Sequence, residues 1–272
     1  MPELPEVETT CNGIRPHIIG KTIADIIIRQ SRLRWPITKN LSELLIGQVI
    51  ESVNRRAKYC LLKTGSAETV LIHLGMSGSL RIVNTDNFPG KHDHVDFVFT
   101  DKTVLRFNDT RRFGAILATS EPIHQHKLIC RLGPEPLSEH FTGTHLHHLS
   151  KNRKTTVKSF IMDGHNVVGV GNIYASESLF MAGILPTRQA GRISLKRYQK
   201  LAKYIKLVLQ QAIDQGGTTL KDFVNEQGEP GYFQQSLAVY GRANQQCIKC
   251  STPIQQLKIA QRASYFCPVC QK

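Results

Sequence analysis

Residues 247–270 read CIKCSTPIQQLKIAQRASYFCPVC, and the spacing of the four cysteines in this stretch decides how the end of the chain folds. Two residues lie between Cys247 and Cys250 and between Cys267 and Cys270, and 16 residues separate the two pairs. Each C-x2-C turn can aim two thiolates at one point, and a hairpin can bring the pairs together. We expect a zinc ribbon with one structural Zn²⁺. Two disulfides are the alternative, which a reducing compartment disfavours.

The other three cysteines, Cys11, Cys60 and Cys130, are scattered along the chain. We expect each of them to be a small buried hydrophobic residue, since free cysteines are often buried in cytosolic proteins.

Upstream of the ribbon, residues 21–119 contain short runs rich in apolar and β-branched residues, separated by turn residues at intervals of roughly 8–15 residues. The runs are TIADIIIRQ, QVIESV, KYCLLKT, ETVLIHL, SLRIV, HVDFVFT, TVLRFND and GAILAT. This pattern predicts a β-sandwich or barrel. Before it, Val7, Cys11, Ile14 and Ile18 have helical spacing, which predicts one helix over residues 5–19 that packs on the β-domain.

After about residue 122 the pattern becomes helical, with candidate helices at residues 155–162, 172–183 and 194–215. The last has an apolar stripe, with Ser194 as its N-cap and Gly216-Gly217 as its stop. The stripe consists of Leu195, Tyr198, Leu201, Ile205, Val208, Leu209 and Ala212. We predict an α+β multidomain chain: a β-rich domain at 1–120, a link at 121–150, a helical domain at 151–235 and the zinc ribbon at 236–272.

The composition and charge of the 272 residues narrow the class of protein. With 40% hydrophobic and 21% charged residues, the chain is globular and neither disordered nor collagen-like. No apolar run approaches the ~20 residues of a membrane span, and the opening MPELPEVETT lacks the basic start of a secretory signal. We therefore expect a cytosolic protein. The net charge of +14 favours a polyanionic partner, nucleic acid before membrane.

Three basic clusters could meet a phosphate backbone: residues 55–58, 111–114 and 151–154. Any one of them is equally compatible with an ordinary solvated face, but together with the basic ribbon they favour a nucleic-acid surface. Gly169 to Asn172, before a helix, offers backbone N–H groups to an anion. A dinucleotide-binding site is excluded, since the spacing is not G-x-G-x-x-G and no βαβ unit surrounds it.

Several long motifs, in order along the whole chain, resemble the bacterial formamidopyrimidine-DNA glycosylase (Fpg) family. They are PELPEVET at 2–9, RRAKY at 55–59, HLGMSG at 73–78, KHDHVD at 91–96, RRFG at 111–114, VGVGNIYASE at 168–177, QGGTTLKDF at 215–223 and QRA at 261–263. One departure is Thr110, where the family usually has proline, so we expect a looser turn before Arg111. The resemblance implies a β-sandwich with a flanking N-terminal helix, a helix-two-turn-helix domain and a zinc ribbon.

The resemblance also implies a catalytic set. Removal of Met1 would leave Pro2 with a secondary amine of pKa about 8, a nucleophile for sugar C1′. Glu3 resembles the family's proton donor and Glu6 its supporting carboxylate. Lys58 resembles the lysine that assists β-elimination, and Arg262 the ribbon arginine at the phosphate. Without the motifs, Pro2-Glu3 is equally an ordinary helix start.

DNA-binding residues follow from the same resemblance. Met76, Arg111 and Phe113 would fill the hole that a flipped base leaves, although a methionine after a glycine turn is also a common core residue. The resemblance assigns contacts with DNA or its phosphates to His73, His92, Arg111, Arg153, Lys158 and Asn172, and closure over the flipped base to residues 217–222. The expected partner is double-stranded DNA with oxidised bases or abasic sites, bound by a monomer at the cytoplasmic nucleoid, without a membrane.

Two functions from different classes therefore remain. The first is a bifunctional glycosylase and AP lyase acting on oxidised purines, and the second is a DNA-binding module that cannot cut. The presence of both Pro2 and Glu3 favours the enzyme. The related endonuclease VIII group, which prefers oxidised pyrimidines, is disfavoured because Leu4 stands where that group usually has glycine.

Overall fold

The structure is a computed structural model that describes residues 2–216 and 237–272. It divides into two compact units, the first built on the chain up to Cys130 and the second on Arg131–Gln215 together with the C-terminal residues. The predicted closing segment at 217–222 and the predicted stop residue Gly217 lie outside the described residues. Within the described ranges, no helix is long and apolar enough to cross a membrane.

The first unit contains two four-stranded antiparallel sheets, in the orders β1-β6-β7-β5 and β2-β3-β4-β8. Their strands are β1 Ile23–Ile28, β2 Ile50–Arg56, β3 Tyr59–Thr64, β4 Thr69–His73, β5 Gly78–Asn84, β6 Asp93–Phe99, β7 Thr103–Asp109 and β8 Ala115–Thr119. Each strand falls on one of the predicted β-rich runs. The predicted β-sandwich with a flanking N-terminal helix is confirmed.

Helix α1 spans Leu4–Ile18 and lies against the sheets through the four predicted apolar positions, Val7, Cys11, Ile14 and Ile18, all of which are buried. Burying one stripe of a helix is what places it on a sheet face, because the apolar side leaves water there. A short helix, α2, follows at Leu41–Leu45.

The scattered cysteines do not all behave as predicted. Cys11 and Cys60 belong to the core of the first unit, as expected. Cys130 is exposed, so its predicted burial is wrong. It ends a short run of turns after β8, where no apolar periodicity directs its side chain inward.

The second unit is mainly helical, with α3 Gly143–Ser150, α4 Val157–Met162, α5 Asn172–Ala182 and α6 Leu195–Asp214. Helix α6 buries its predicted stripe except for Leu195, which is 38% exposed at the first helical residue. Ser194 is the N-cap by position but makes no side-chain cap hydrogen bond. Helix α3 lies in the segment predicted as a link, and Gly143 lets it approach α6 closely: a Cβ there would lie 2.3 Å from the Cα of Gln199.

The C-terminal ribbon is a hairpin of β9 Gln255–Ile259 and β10 Arg262–Phe266. Its two turn residues, Ala260 and Gln261, both have left-handed φ values, 44° and 62°. Such a turn matches the twist of a two-stranded hairpin, and it places Arg262 at the first position after the turn.

Candidate functional site

Helix α1 and strand β2 lie side by side and run in opposite directions. Near the end of the helix, the guanidinium of Arg15 donates hydrogen bonds to the carbonyl oxygen of Val53, at 3.2 Å from Nε and 3.0 Å from Nη2. Two turns earlier in the helix, Glu8 pairs with Arg55 at 2.5 Å. The N-terminal part of α1 therefore lies alongside the C-terminal end of β2.

This alignment directs the N-terminus of α1 towards the turn between β2 and β3. The helix begins at Leu4, about 6 Å before Glu8 along its axis, and Glu3 and Pro2 precede it, while β2 ends at Arg56, directly before the turn that carries Lys58. Arg55 also donates to the carbonyl of Ala57 at 3.0 Å and so shapes the turn that carries Lys58. The sequence analysis identified Lys58 but missed Arg55 and Glu8 as the link between these two elements.

The predicted catalytic carboxylates lie at the first turn of α1 and are removed from solvent. Glu3 is 3% exposed and Glu6 is 1% exposed, and Pro2 beside them is also buried. The carboxylate of Glu6 accepts a hydrogen bond from the backbone N–H of Glu3 at 2.7 Å, as part of a capping box. Glu6 thus fixes the backbone that carries Glu3.

Further candidate site residues lie at one end of the sheet β2-β3-β4-β8, where its four strands begin or end. Strand β3 begins at Tyr59, β4 ends at His73 and β8 begins at Ala115, and these three residues are register partners. The turn at 57–58 and the loops at 74–77 and 110–114 therefore emerge together. They carry Lys58 and all three of the predicted hole-filling residues.

His73 lies in the middle of this end of the sheet. Its Nδ1 accepts the backbone N–H of Gly75 at 3.0 Å, and its ring centroid is 5.0 Å from that of Tyr59. Burial lowers the pKa of His73 to about 4, and the nearby cations Lys58 and Arg34 act in the same direction. The ring is neutral at pH 7, so its proton resides on Nε2 and can be donated to an anion.

The hole-filling residues are Met76, Arg111 and Phe113, of which Met76 and Phe113 line a cavity together with His73. Phe113 is 47% exposed, and the guanidinium carbon of Arg111 lies 4.8 Å from the centroid of its ring. Met76 is half-buried. Together with Arg34, His73 and Gly75, Met76 and Phe113 line a cavity of about 380 Å³.

The turn before Arg111 is well held without the family's usual proline. The backbone N–H of Arg112 donates to the carbonyl of Asp109 at 3.3 Å, which makes Thr110 and Arg111 the central residues of a β-turn. A type I turn requires negative φ at both central residues, and neither Thr110 nor Arg111 has a positive φ. The N–H of Arg111 also donates to the hydroxyl of Ser77 at 3.1 Å. The loosening that Thr110 would cause relative to proline stays a prediction.

His92 comes directly before β6 and is half-buried. Its carbonyl accepts the N–H of Asp109 at 3.0 Å, and its ring makes an edge contact with His94 at 6.4 Å between centroids. His92 is thus fixed to the strand that leads into the Arg111 turn.

In the second unit, a buried lysine joins the helical hairpin to the ribbon. Lys158 on α4 is 1% exposed, and its ammonium donates to Asn172 Oδ1 at 2.6 Å and to Ser264 Oγ at 2.7 Å. Asn172 itself donates to the carbonyl of Ala263 at 3.0 Å. The structure therefore brings Lys158 and Asn172 together beside the ribbon, with Lys158 as an organising cation, and its contact with a DNA phosphate stays a prediction.

Arg153 and Arg262, by contrast, are exposed. Arg153 follows α3, where its carbonyl accepts the N–H of Gly191 at 3.0 Å, and Arg262 opens β10 next to Ala263. Both guanidinium groups are therefore available to a phosphate in the second unit.

The four ribbon cysteines fit one structural zinc ion. Their sulfur atoms all lie within 4.8 Å of one another, with 3.9 Å between Cys247 and Cys270 and 3.4 Å between Cys250 and Cys267. A zinc ion with Zn–S bonds of about 2.3 Å sets tetrahedral sulfurs about 3.8 Å apart. The N–H of Lys249 donates to Cys247 Sγ at 3.4 Å, which orients that thiolate. With four sulfur ligands no position is open for chemistry.

Three family models match the chain in succession: the formamidopyrimidine-DNA glycosylase N-terminal domain at residues 1–116, the formamidopyrimidine-DNA glycosylase H2TH domain at 132–224, and the zinc finger found in FPG and IleRS at 244–272. These matches define a class, the DNA glycosylases with a helix-two-turn-helix domain and a zinc finger. Formamidopyrimidine-DNA glycosylase from Methylococcus capsulatus is 56% identical over 272 residues, which cover 100% of both chains. The chain belongs to the formamidopyrimidine-DNA glycosylase family and is an enzyme of that kind.

Solved structures of relatives have the same fold. A mutant of the Lactococcus lactis enzyme in complex with DNA containing Fapy-dG is 30% identical with a TM-score of 0.92, and the alignment covers 100% of both chains. The same bacterium's enzyme in complex with DNA containing an abasic site is 30% identical with a TM-score of 0.91, over 99% of both chains.

Proposed function

We propose that this chain is a bifunctional DNA glycosylase and AP lyase that excises oxidised purines, such as 8-oxoguanine and formamidopyrimidines, from double-stranded DNA. The observation that carries the proposal is the position of Pro2, buried directly before a helix that runs antiparallel to the strand leading to the Lys58 turn, with two buried carboxylates close in sequence. The Lactococcus lactis complexes with a formamidopyrimidine lesion and with an abasic site support the same substrate class.

The first step is attack on the sugar. After removal of Met1, the secondary amine of Pro2, with a pKa of about 8, is partly unprotonated at neutral pH. Its lone pair forms a bond to C1′ while the bond from C1′ to the base breaks, and Glu3 supplies the proton that neutralises the departing base or the opening ribose. Ring opening leaves an iminium between Pro2 and C1′. Glu6 holds the backbone of Glu3 throughout.

Strand cleavage follows from the iminium. Loss of a proton from C2′ expels the 3′-phosphate by β-elimination, and loss of a proton from C4′ then expels the 5′-phosphate by δ-elimination. Lys58 assists the elimination and contacts phosphate, and Arg262 holds the phosphate for strand cleavage. Both eliminations need a stabilised phosphate leaving group, which is what fixed cations supply.

The DNA-binding residues fall into two groups: those that contact the DNA backbone and those that fill the gap left by the flipped nucleotide. Arg153, Lys158 and Asn172 in the second unit, and His73 and His92 in the first, act on the DNA backbone. Met76 and Phe113 fill the gap left by the flipped nucleotide, and Arg111 hydrogen-bonds the unpaired opposite base. The neutral Nε2–H of His73 suits a phosphate oxygen.

We place the enzyme in the cytoplasm, at the nucleoid, as a monomer. Four cysteines in one metal-binding cluster suit a reducing compartment, and the net charge of +14 suits DNA.

Borohydride trapping on duplex DNA with an abasic site tests the nucleophile. The reduced adduct is expected on Pro2 by peptide mass spectrometry. Retaining Met1 should abolish trapping, whereas Pro2→Gly keeps a primary amine and should retain part of it. If Lys58→Ala abolishes trapping while Pro2→Gly leaves it untouched, the lysine is the nucleophile instead.

Two further measurements separate the alternatives. Glu3→Gln should impair base excision but leave elimination at a preformed abasic site partly active, because no base then needs a proton. A protein that binds duplex DNA with neither trapping nor cleavage would be the non-catalytic binding module. Preferential release of oxidised pyrimidines would assign the chain to endonuclease VIII activity.

A further inference from the structure

The two loops that carry the hole-filling residues converge on one buried carboxylate. Asp109 ends β7 and has no exposed surface. Its Oδ1 accepts the hydroxyl of Ser77 at 2.7 Å and the backbone N–H of Arg111 at 3.2 Å, and its Oδ2 accepts the backbone N–H of Gly114 at 2.8 Å. The carboxylate of Asp109 thus accepts hydrogen bonds from Ser77 in one loop and from Arg111 and Gly114 in the other.

Asp109 is itself held by the neighbouring strand of its own sheet. Its N–H donates to the carbonyl of His92 at 3.0 Å, and the Nε2 of His94 lies 2.7 Å from its carbonyl oxygen. Both loops cross between the sheets, one from β4 to β5 and the other from β7 to β8, so the carboxylate ties these two crossings together at the end of β7.

The loops are also packed against each other without room for adjustment. A Cβ on Gly75 would lie 2.4 Å from the carbonyl carbon of Phe113, and one on Gly114 would lie 2.8 Å from the carbonyl oxygen of His73. Arg112, between Arg111 and Phe113, has a φ of 56°, a backbone conformation that a non-glycine residue adopts only when its surroundings hold it there.

We propose that Asp109 is a positioning residue that holds Met76, Arg111 and Phe113 as one preformed wedge before DNA is bound. This inference rests on the proposed function, which needs a wedge to fill the hole left by the flipped nucleotide. A carboxylate that accepts three hydrogen bonds in a buried site sets geometry strongly, because each lost partner leaves a desolvated polar group. A preformed wedge can enter the base stack without its loops first becoming ordered. The conformational entropy cost of ordering them is then not part of the free-energy barrier to base flipping.

The test compares Asp109→Asn with Asp96→Asn, a second buried acid of the same unit whose partners are Arg106 and Arg29 rather than the wedge loops. The asparagine at 109 turns an acceptor oxygen into an NH2 group, so it must face a donor. Three readouts are taken below the unfolding temperature of both variants. They are single-turnover excision of 8-oxoguanine from a duplex, cleavage of an abasic site in single-stranded DNA, and the stopped-flow fluorescence of 2-aminopurine next to the lesion.

Asp109→Asn is expected to slow duplex excision by roughly 10- to 100-fold, the range that one or two misplaced buried hydrogen bonds produce, and to slow the 2-aminopurine phase that reports wedge insertion. Cleavage of single-stranded abasic DNA, which has no hole to fill, should change less than about twofold. Asp96→Asn should leave the ratio of the two activities unchanged. If Asp109→Asn does not fold, Ser77→Ala, which removes one of the three donors and keeps the carboxylate, should show the same selective loss in weaker form.

Equal losses on duplex and single-stranded substrates, or a wild-type fluorescence trace for a folded Asp109→Asn or for Ser77→Ala, would overturn the inference. Failure of the proposed function looks different, because the wild-type enzyme itself would then give neither a borohydride adduct nor cleavage.

Discussion

Protonation of His73 should destabilise the first unit, and its pKa gives the size of the effect. The ring titrates near 6.5 in an unfolded chain but at about 4 in the folded unit, chiefly because it is buried. At pH 5 the unfolded state therefore binds a proton that the native state does not, and lowering the pH favours unfolding. Between pH 7.5 and pH 5 the loss amounts to about 2 kcal/mol, an upper figure because the ring is only partly buried.

The variant His73→Asn isolates this contribution, since an asparagine oxygen can still accept the N–H of Gly75 but does not titrate. Urea unfolding is followed by the fluorescence of Trp35, the single tryptophan, which lies in the first unit. The free energy of unfolding of the wild type should fall by up to about 2 kcal/mol more than that of the variant between pH 7.5 and pH 5. Parallel pH profiles for the two proteins would refute the assignment of a low pKa to His73.

Four other changes have defined outcomes. Chelation, or Cys247→Ser, should unfold the ribbon and lower duplex affinity, because a hairpin this small depends on its metal; zinc analysis and binding assays check this, and undiminished binding after metal removal would contradict it. Arg153→Ala should reduce the slope of log affinity against log salt by about 1 if it holds a phosphate, and an unaltered slope would exclude that contact. Phe113→Ala should reduce lesion excision more than binding of undamaged duplex, whereas equal losses would argue against a wedge. Thr110→Pro should raise the free energy of unfolding by roughly 0.4–1 kcal/mol, because proline suits the second position of a type I turn; a lower unfolding midpoint would show that the turn rejects it.

The β-domain and α1 could be predicted from the sequence because their periodicities are local. All eight β-rich runs became strands, and the stripe from Val7 to Ile18 became the buried face of α1. The zinc cluster was predictable for a similar reason, since a C-x2-C turn is a local geometry. Cys130 was predicted wrongly because its residue type argued for burial while no pattern around it did.

Contacts between distant residues account for what the sequence did not reveal. The burial of Lys158 depends on Ala263 and Ser264, more than one hundred positions away, so no local pattern around Lys158 indicated it. The positioning role of Asp109 was missed because its partner Ser77 lies in a different loop, between β4 and β5. The available clue was an aspartate before a turn, which often bonds backbone N–H groups further along, but it does not tell which second loop is held.

The zinc ribbon shares its core with the helical domain. Phe180 of α5 packs with Val239, Ile254 and two of the metal-binding cysteines, and the ammonium of Lys249 lies 4.6 Å from the centroid of the Phe180 ring. The side-chain amide of Gln271 donates to the carbonyl of Ile184, just after the same helix. A ribbon transplanted into another protein would therefore keep its metal ligands but lose its hydrophobic contact with Phe180. In chimaeras made from related enzymes, α5 and the ribbon should be exchanged together as one unit.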